Sequence, residues 1–583
     1  MSSCTVVAAR GLLCNSRSKP VSTTNQEPRA TTSSLESKAW IPLLAIFVFG
    51  CVRRLSGFDA YWLNPDEGIY FSMVTWNEWG EFWKEYSANT HPPLFYLVAR
   101  MVSFVTTELW AFRSIAFVCG CLGVPATFLF ARECIGRGPI ATLTGLFAAL
   151  LVANSFTAVE MSQLIRPYTM QILFLTCALY FLVRYLRVGG RRCLPAYAGL
   201  MIVAIITHYG SLLVFVGIGM TLIGLLAFRR LDARQFRVLL IWNLPVVAAS
   251  AAVYLLHIRP TVDGSVIATQ AVNTWLKPVM IHGVGDVWPR FLGVLSAFGA
   301  LFEGPTSLVF FAGIGLAVYR KNHLVVLMAL TIPAVAIVAA AMQKYPFGYS
   351  RHSLYLTMVL VTPIAFALAS MFAAAFTGRR GAICAGIGLL VLVAALNFHV
   401  EVSRFLGSAL RVRDFENTLS RKDLAWVQPA LDEISNKPGI LLMGVQTHYL
   451  LMPFFQQERQ KAVATPDASV KRFRWRQRDV LIPQVWNLST WPGAMGMPIH
   501  LHDAIGNIDR QYPELRFSTL RSVGIFVGGW SRLADEIRKM SEEGTPEERK
   551  LVKGGGSVNG LSAFEFDIAA YKAMMDRKLK KGR

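Results

Sequence analysis

The chain has 583 residues, of which 54% are hydrophobic and only 16% charged, with a formal net charge of +22 and a mean hydropathy of +0.42. That is too apolar for an ordinary soluble protein. The positive balance does not read as a nucleic-acid surface, because much of it sits in short clusters between apolar runs (Arg191-Arg192, Arg229-Arg230, Arg320-Lys321, Arg379-Arg380), the usual mark of cytoplasmic loops.

Residues 1–38 are rich in Ser, Thr and Arg without a sustained apolar run, which predicts a disordered cytoplasmic tail. Apolar spans follow near 39–52, 109–131, 139–157, 168–186, 194–208, 210–228, 236–256, 300–319, 323–342, 353–376 and 381–399. The stretch 94–107 is apolar but short, with Arg100 inside it. If it lies in the interface rather than crossing, every basic cluster falls on one side, as the positive-inside rule requires. The expected fold is therefore a polytopic α-helical membrane protein of about 11 spans. The N-terminus is then cytoplasmic. The loop 53–108, the turn 156–168, His208-Tyr209, the loop 257–299, the turn 343–352 and everything after 400 share the opposite face.

The first of these loops carries Asp59, Asp66, Glu67, Glu78, Glu81 and Glu85, with Trp62, Trp76, Trp79 and Trp83. Within it, 69–86 is predicted to form an amphipathic helix on the membrane. The membrane domain is read as 39–400, and 401–583 as an extracytoplasmic soluble α/β domain. In the latter, 423–435 has helical periodicity and Gly439–Met443 and 522–527 read as strands. Residues 553–557 read as a turn and 569–581 as a basic terminal helix. No cysteine lies beyond Cys384, so no disulfide framework or thiolate metal site is available there. No Walker pattern or GxGxxG follows a strand, so nucleotide binding has no support.

The chemistry-bearing residues all fall on the face of the acidic loop. Asp66-Glu67 follows Asn64-Pro65, a step that presents Asp66 at a helix start. A carboxylate beside the membrane accepts a proton or binds a metal; an N-capping Asp with a solvated Glu is the plainer alternative. His91-Pro92-Pro93-Leu94 holds a histidine rigidly at the same level, suited to phosphate or to a metal. Glu160 precedes Arg166-Pro167-Tyr168, where Arg166 fits either bidentate phosphate binding or interfacial anchoring, and Tyr168 offers a hydroxyl or a stacking face. His208-Tyr209 and the turn bearing Lys344, Tyr345, Tyr349 and Arg351 add further cations and aromatics. Carboxylates on one wall and cations on the other suit glycosyl transfer from a lipid-phosphate sugar. The carboxylate takes the acceptor proton, and the cations stabilise the departing phosphate.

In this order (the acidic pair, His-Pro-Pro-Leu, Arg113 opening the next span, Arg166-Pro167-Tyr168, Thr207-His208-Tyr209 and Tyr349-Ser350-Arg351-His352) the sequence resembles the GT-C superfamily of membrane glycosyltransferases. That superfamily includes protein mannosyltransferases, the lipid A aminoarabinose transferase and the rhizobial galacturonosyltransferases. The resemblance covers roughly 39–400. It implies an inverting transferase of the cytoplasmic (cell inner) membrane, with a polyprenyl-phosphate sugar donor and a lipid, polysaccharide or protein acceptor. Asp66 matches the catalytic base, and Glu67, His91 and Arg166 match positions near donor phosphate or metal. A divalent metal is the one cofactor it suggests, with Glu67, His91 and His208 as candidate ligands. It departs at one point. Relatives carry a second functional carboxylate in the second outer loop, where the nearest candidate here is Glu160. A transporter or flippase of lipid-linked sugar is the alternative. Neither an internal repeat nor a clear pair of broken mid-membrane helices supports it.

Overall fold

The computed structural model describes residues 38–59, 61–76, 78–87, 91–190, 192–259, 276–299, 303–348, 350–377, 429, 439–459, 470–483, 501–528, 532–553, 557–558 and 561–581. The span expected over 381–399, all but one residue of the helix expected over 423–435, most of the turn 553–557, and Tyr349 lie outside them.

The helical part runs α1 (Trp40–Leu55), α2 (Pro65–Val74), α3 (Trp79–Ser87), α4 (Leu94–Ser103), α5 (Leu109–Ile135), α6 (Pro139–Asn154), α7 (Phe156–Met161), α8 (Tyr168–Val188), α9 (Cys193–Ile205), α10 (Gly210–Ala227), α11 (Ala233–Val253), α12 (Val284–Gly299), α13 (Glu303–Tyr319), α14 (His323–Ala341) and α15 (Thr357–Thr377). Among the described residues six helices are long and apolar enough to cross a membrane. They are α5, α8, α10, α11 with its π-helical extension Tyr254–Ile258, α14, and α15 with the 3-10 turn Arg351–Leu356 before it. Their inner faces share one core, from Val124 and Phe128 through Leu179 and Ile218 to Leu360. Their outer faces expose Val216, Ile223, Ile241, Leu244 and Val338, surface that suits hydrocarbon rather than water.

Helix α4 has 10 residues, about 15 Å of rise against a hydrocarbon core of about 30 Å. It is too short to cross. Its Arg100 is buried, and Nη1 donates to the carbonyls of Val74 (3.3 Å) and Trp76. The guanidinium lies 4.4 Å from the centre of the Trp79 ring. These bonds explain a correction: the single helix expected over 69–86 is broken in two. The carbonyls that would continue α2 past Val74 are claimed by Arg100, and the Thr75 hydroxyl donates to Phe71 O at 2.7 Å. Helices α2 to α5 form a second core around Tyr70, Phe71, Phe82, Phe95, Tyr96 and Phe112.

The C-terminal part is a mixed sheet flanked by helices: β1 (Gly439–Met443), α16 (Val445–Arg459), β2 (Val470–Trp475), β3 (Arg478–Pro483), α17 (Leu501–Gln511), β4 (Val523–Gly528), α18 (Arg532–Glu542), α19 (Pro546–Arg549), β5 (Val552–Lys553), β6 (Ser557–Val558), β7 (Leu561–Phe566) and α20 (Ile568–Lys581). Strand order is β2-β3-β1-β4-β7-β5, with β6 also on β7. Strand β1 runs parallel to β3 and β4, with Leu441 opposite Val480 and Leu442 opposite Ile525; the other pairs are antiparallel. Helix α16 faces two ways. Phe455 packs on Phe473 and Trp475 of β2. On its other side Phe454 stacks on Trp62 at 5.3 Å, and Met452 enters the core of the first loop.

Candidate active site

The site begins with a helix cap. The Asn64 side chain accepts the Glu67 N–H at 2.9 Å, and the Glu67 carboxylate accepts the Asn64 N–H at 3.2 Å. With Pro65 in the first turn this is a capping box. The cap is Asn64, not Asp66, and Glu67 is buried rather than solvated. Asp66 is left with its carboxylate free to point away from the helix end.

That carboxylate meets two arginines from distant parts of the chain. Arg166 Nη2 donates to Asp66 Oδ2, and Arg351 Nη2 donates to the same oxygen at 2.8 Å. Arg166 is almost fully buried, whereas the Asp66 and Arg351 side chains are 31% and 30% exposed, so the pair faces an opening. Arg166 Nη1 also donates to Tyr70 Oη at 2.8 Å, and its guanidinium lies 4.9 Å from the Tyr70 ring centre. Burial works against charge on Asp66, but Arg166 and then Arg351 outweigh it and hold the carboxyl far below its ordinary range. Burial likewise opposes the Arg166 charge, and Asp66 more than offsets it, so its pKa is raised.

Glu67 turns the other way. Its two oxygens take Arg113 Nε at 3.1 Å and Nη2 at 3.2 Å, the Ile165 N–H at 2.9 Å and the Asn64 N–H. Both side chains of the Glu67–Arg113 pair are 0% exposed. Arg113 also donates to the carbonyls of Tyr61 (2.8 Å) and Trp62 (3.0 Å).

Behind Asp66 lies a cluster of rings. Centroid separations are 5.1 Å for His91–His208, 5.0 Å for Tyr168–His208, 6.4 Å for His208–Tyr345 and 6.1 Å for Tyr168–His352. The Gly210 N–H donates to His208 Nδ1 at 3.2 Å, which puts the ring proton on Nε2. Burial pushes His208 down to about 3. Burial, with His208 and Arg166 nearby, also holds His91 well below its ordinary value. Glycine at 210 makes the packing possible: a Cβ there would lie 2.6 Å from Tyr355 Cδ1 and 2.9 Å from Gln171 Nε2. Several buried polar atoms here have no partner among the described residues, namely His208 Nε2, His352 Nδ1, Tyr168 Oη, Tyr355 Oη and Gln171 Oε1. Buried polar atoms of this kind cost stability unless a ligand or water satisfies them.

Of the residues singled out in the sequence, Asp66, Arg166, Arg351, His91, Tyr168, His208 and Tyr345 converge. Lys344 is exposed at the head of its turn, and Arg351 is the cation that reaches Asp66. Glu160 is buried in α7. His352 enters the sequence reading only as the end of the Tyr349–His352 turn, and Tyr70, Tyr355 and Gln171 do not enter it. For Tyr70 the signal was present, since it lies four residues after Asp66 on the same helix face. The residues do not fit the suggested metal. Both Glu67 oxygens are committed to Arg113 and to backbone N–H groups. Among the described residues no group of three or more His, Cys, Asp or Glu is placed to hold an ion.

No protein-family model matches the chain, and no curated protein matches it. Solved structures do. ArnT from Cupriavidus metallidurans in the apo state aligns over 92% of this chain and 99% of its own, with 14% identity and a TM-score of 0.51. The same protein bound to undecaprenyl phosphate aligns over 91% and 98%, with 13% identity and a TM-score of 0.51. The archaeal oligosaccharyltransferase AglB from Archaeoglobus fulgidus, in complex with an inhibitory peptide and a dolichol-phosphate, covers 91% of this chain and 74% of its own, at 12% identity and a TM-score of 0.52. At these identities the likeness is one of fold. The chain shares the fold of these two proteins over nine-tenths of its length.

Proposed function

We propose that the protein is an inverting glycosyltransferase of the cytoplasmic membrane. It moves a sugar from a polyprenyl-phosphate donor to an acceptor hydroxyl on the face opposite the basic clusters. The observation that carries this reading is the shared grip of Arg166 and Arg351 on one oxygen of the part-exposed Asp66, beside a cluster of buried rings. Two structures of the same fold carry undecaprenyl phosphate and dolichol-phosphate, which supports a lipid-phosphate ligand here.

A carboxylate held by two guanidinium groups is a poor base. The donor phosphate resolves this. Its anionic oxygens compete for Arg166 and Arg351, and as the arginines turn to the phosphate, Asp66 loses the charges that depress it and becomes basic. The acceptor O–H then gives its proton to Asp66 while its oxygen forms a bond to the anomeric carbon. The bond from that carbon to the phosphate oxygen breaks, and the electron pair leaves on a phosphate held by the two arginines. Single displacement inverts the anomeric centre. The unpartnered His208 Nε2–H and the hydroxyls of Tyr168 and Tyr355 are the groups that bond the sugar. Glu67 serves as a staple for the loop rather than as a reacting group. No step runs through a metal.

Sugar transfer by wild type and Asp66→Asn, each reconstituted with a polyprenyl-phosphate sugar, tests the proposal. Loss of about three orders of magnitude in rate, with folding retained, is expected for removal of the base. Transfer at the wild-type rate overturns the assignment. Movement of the lipid-linked sugar across vesicles without covalent transfer would instead identify a flippase.

A further inference from the structure

The mechanism leaves several buried charges unused, and one of them lies against the turn that carries Arg166. Arg54, in the last turn of α1, is 1% exposed, and among the described residues no carboxylate lies within ion-pair distance of it. A charge buried this deeply is costly unless its hydrogen bonds are made. Every nitrogen of its guanidinium is occupied. Nε donates to Ser162 Oγ at 3.1 Å, Nη1 to Gly50 O at 3.0 Å and Ala153 O at 3.3 Å, and Nη2 to Val152 O at 3.2 Å. Val152 and Ala153 belong to the last turn of α6, whose carbonyls lack intrahelical partners and carry the negative end of the helix dipole. The cation therefore caps α6 at its junction with α7.

Room for the guanidinium is built into two other positions. A Cβ at Gly120 would lie 2.1 Å from Ser162 Oγ and 3.1 Å from Arg54 Nε, and one at Gly50 would lie 3.3 Å from Arg54 Nη1. A second latch runs beside the first: Gln163 Nε2 donates to the carbonyls of Arg54 (2.9 Å) and Ser56 (2.6 Å). Ser162 and Gln163 begin the turn that goes on to Ile165, whose N–H is held by Glu67, and to Arg166, which holds Asp66.

We infer that Arg54 is a positioning residue: it fixes the turn 162–166 against α1, and so sets where Arg166 stands relative to Asp66. Lysine keeps the charge but has one nitrogen where arginine uses three in a planar fork. Loss of the fork lets the turn shift, and a displacement of about 1 Å at a charged contact is enough to change function by up to about a hundredfold.

The test uses the full-length protein in detergent, as wild type, Arg54→Lys and the milder Ser162→Ala. The first readout is mass-spectrometric labelling of Asp66 by a hydrophobic carbodiimide, which reacts with a protonated carboxyl. The second is the affinity for undecaprenyl phosphate. With Arg166 displaced, Asp66 labels several-fold faster in Arg54→Lys, and undecaprenyl phosphate binds about tenfold more weakly; Ser162→Ala moves both in the same direction by less. Labelling unchanged from wild type, with only the thermal midpoint lowered, reduces Arg54 to a structural cap and overturns the inference. If Arg54→Lys does not fold, Ser162→Ala decides on the same two outcomes. Only the second readout rests on the proposed donor. Wild type that fails to bind undecaprenyl phosphate counts against that donor, while Asp66 labelling still decides the role of Arg54.

Discussion

Two adjacent carboxylates meet different partners because helix geometry points them apart. Asp66 faces two arginines across an opening, and Glu67 is walled in by a third, Arg113. The histidines beside them obey the opposite constraint, since burial keeps them neutral. His208 titrates at about 3 in the folded protein, against about 6.5 when unfolded. Between those values the unfolded chain binds the proton that the folded chain refuses. Stability therefore rises with pH through this window and falls as the solution is acidified below about 6.5. His208→Gln keeps an acceptor for the Gly210 N–H but has no proton to take up. Its thermal midpoint, followed from about pH 7.5 down to about pH 4.5, is expected to fall less steeply than that of wild type. Parallel curves would show that His208 does not carry the acid sensitivity.

At the scale of elements, Glu67 joins the start of α2, the second turn of α5 and the turn before α8 through one carboxylate. Removing its charge leaves Arg113 buried and uncompensated, at a cost of about 3–5 kcal/mol. Glu67→Gln is expected to lower the thermal midpoint strongly. Adding Arg113→Met is expected to restore part of the loss, because replacing both members of a buried pair costs less than orphaning one. A double variant no more stable than the single would refute the pair as a staple. The sequence already held the clue that separates the two carboxylates. Asn64-Pro65-Asp66-Glu67 is a capping-box pattern, which commits the fourth residue to the helix end and frees the third. The partners of Asp66 were not legible in that way, because Arg166 and Arg351 lie 100 and 285 residues along the chain and only tertiary packing joins them. The apolar helices were legible from hydropathy, since lipid-facing and core-facing sides are both apolar. The break between α2 and α3 was not, because it depends on Arg100 reaching back from α4. The hairpin β2–β3 was not among the expected strands, although Phe473 and Trp475 alternate with the exposed Arg474 and Arg476 at the period of a strand.

Across the whole molecule, the C-terminal sheet does not merely hang from the helices. Its helix α16 rests on α2, the helix that carries Asp66, and Gly68 lies in that contact. A Cβ at that position would lie 2.4 Å from Tyr449 O and 2.7 Å from its carbonyl carbon. Backbone atoms cannot turn aside as a flexible side chain does, so Gly68→Ala must separate α16 from α2 or tilt α2 itself. The Trp62–Phe454 stack and the burial of Met452 lie on the same contact and would open with it. The sign of the effect makes the test sharp. Within a helix, glycine to alanine ordinarily stabilises by about 0.5–1 kcal/mol. Here the expected outcome is a lower thermal midpoint and a transfer rate reduced by about tenfold or more, because Asp66 is only two positions away. Undecaprenyl phosphate affinity should fall far less, since Arg166 and Arg351 belong to other segments, the turn before α8 and the 3-10 turn before α15. Tyr449→Ala, which leaves the backbone carbonyl in place, should lower the midpoint through the lost packing of a buried ring but not reproduce the loss in transfer rate. A Gly68→Ala protein that is as stable and as active as wild type would show that the C-terminal domain and the loop of Asp66 work independently.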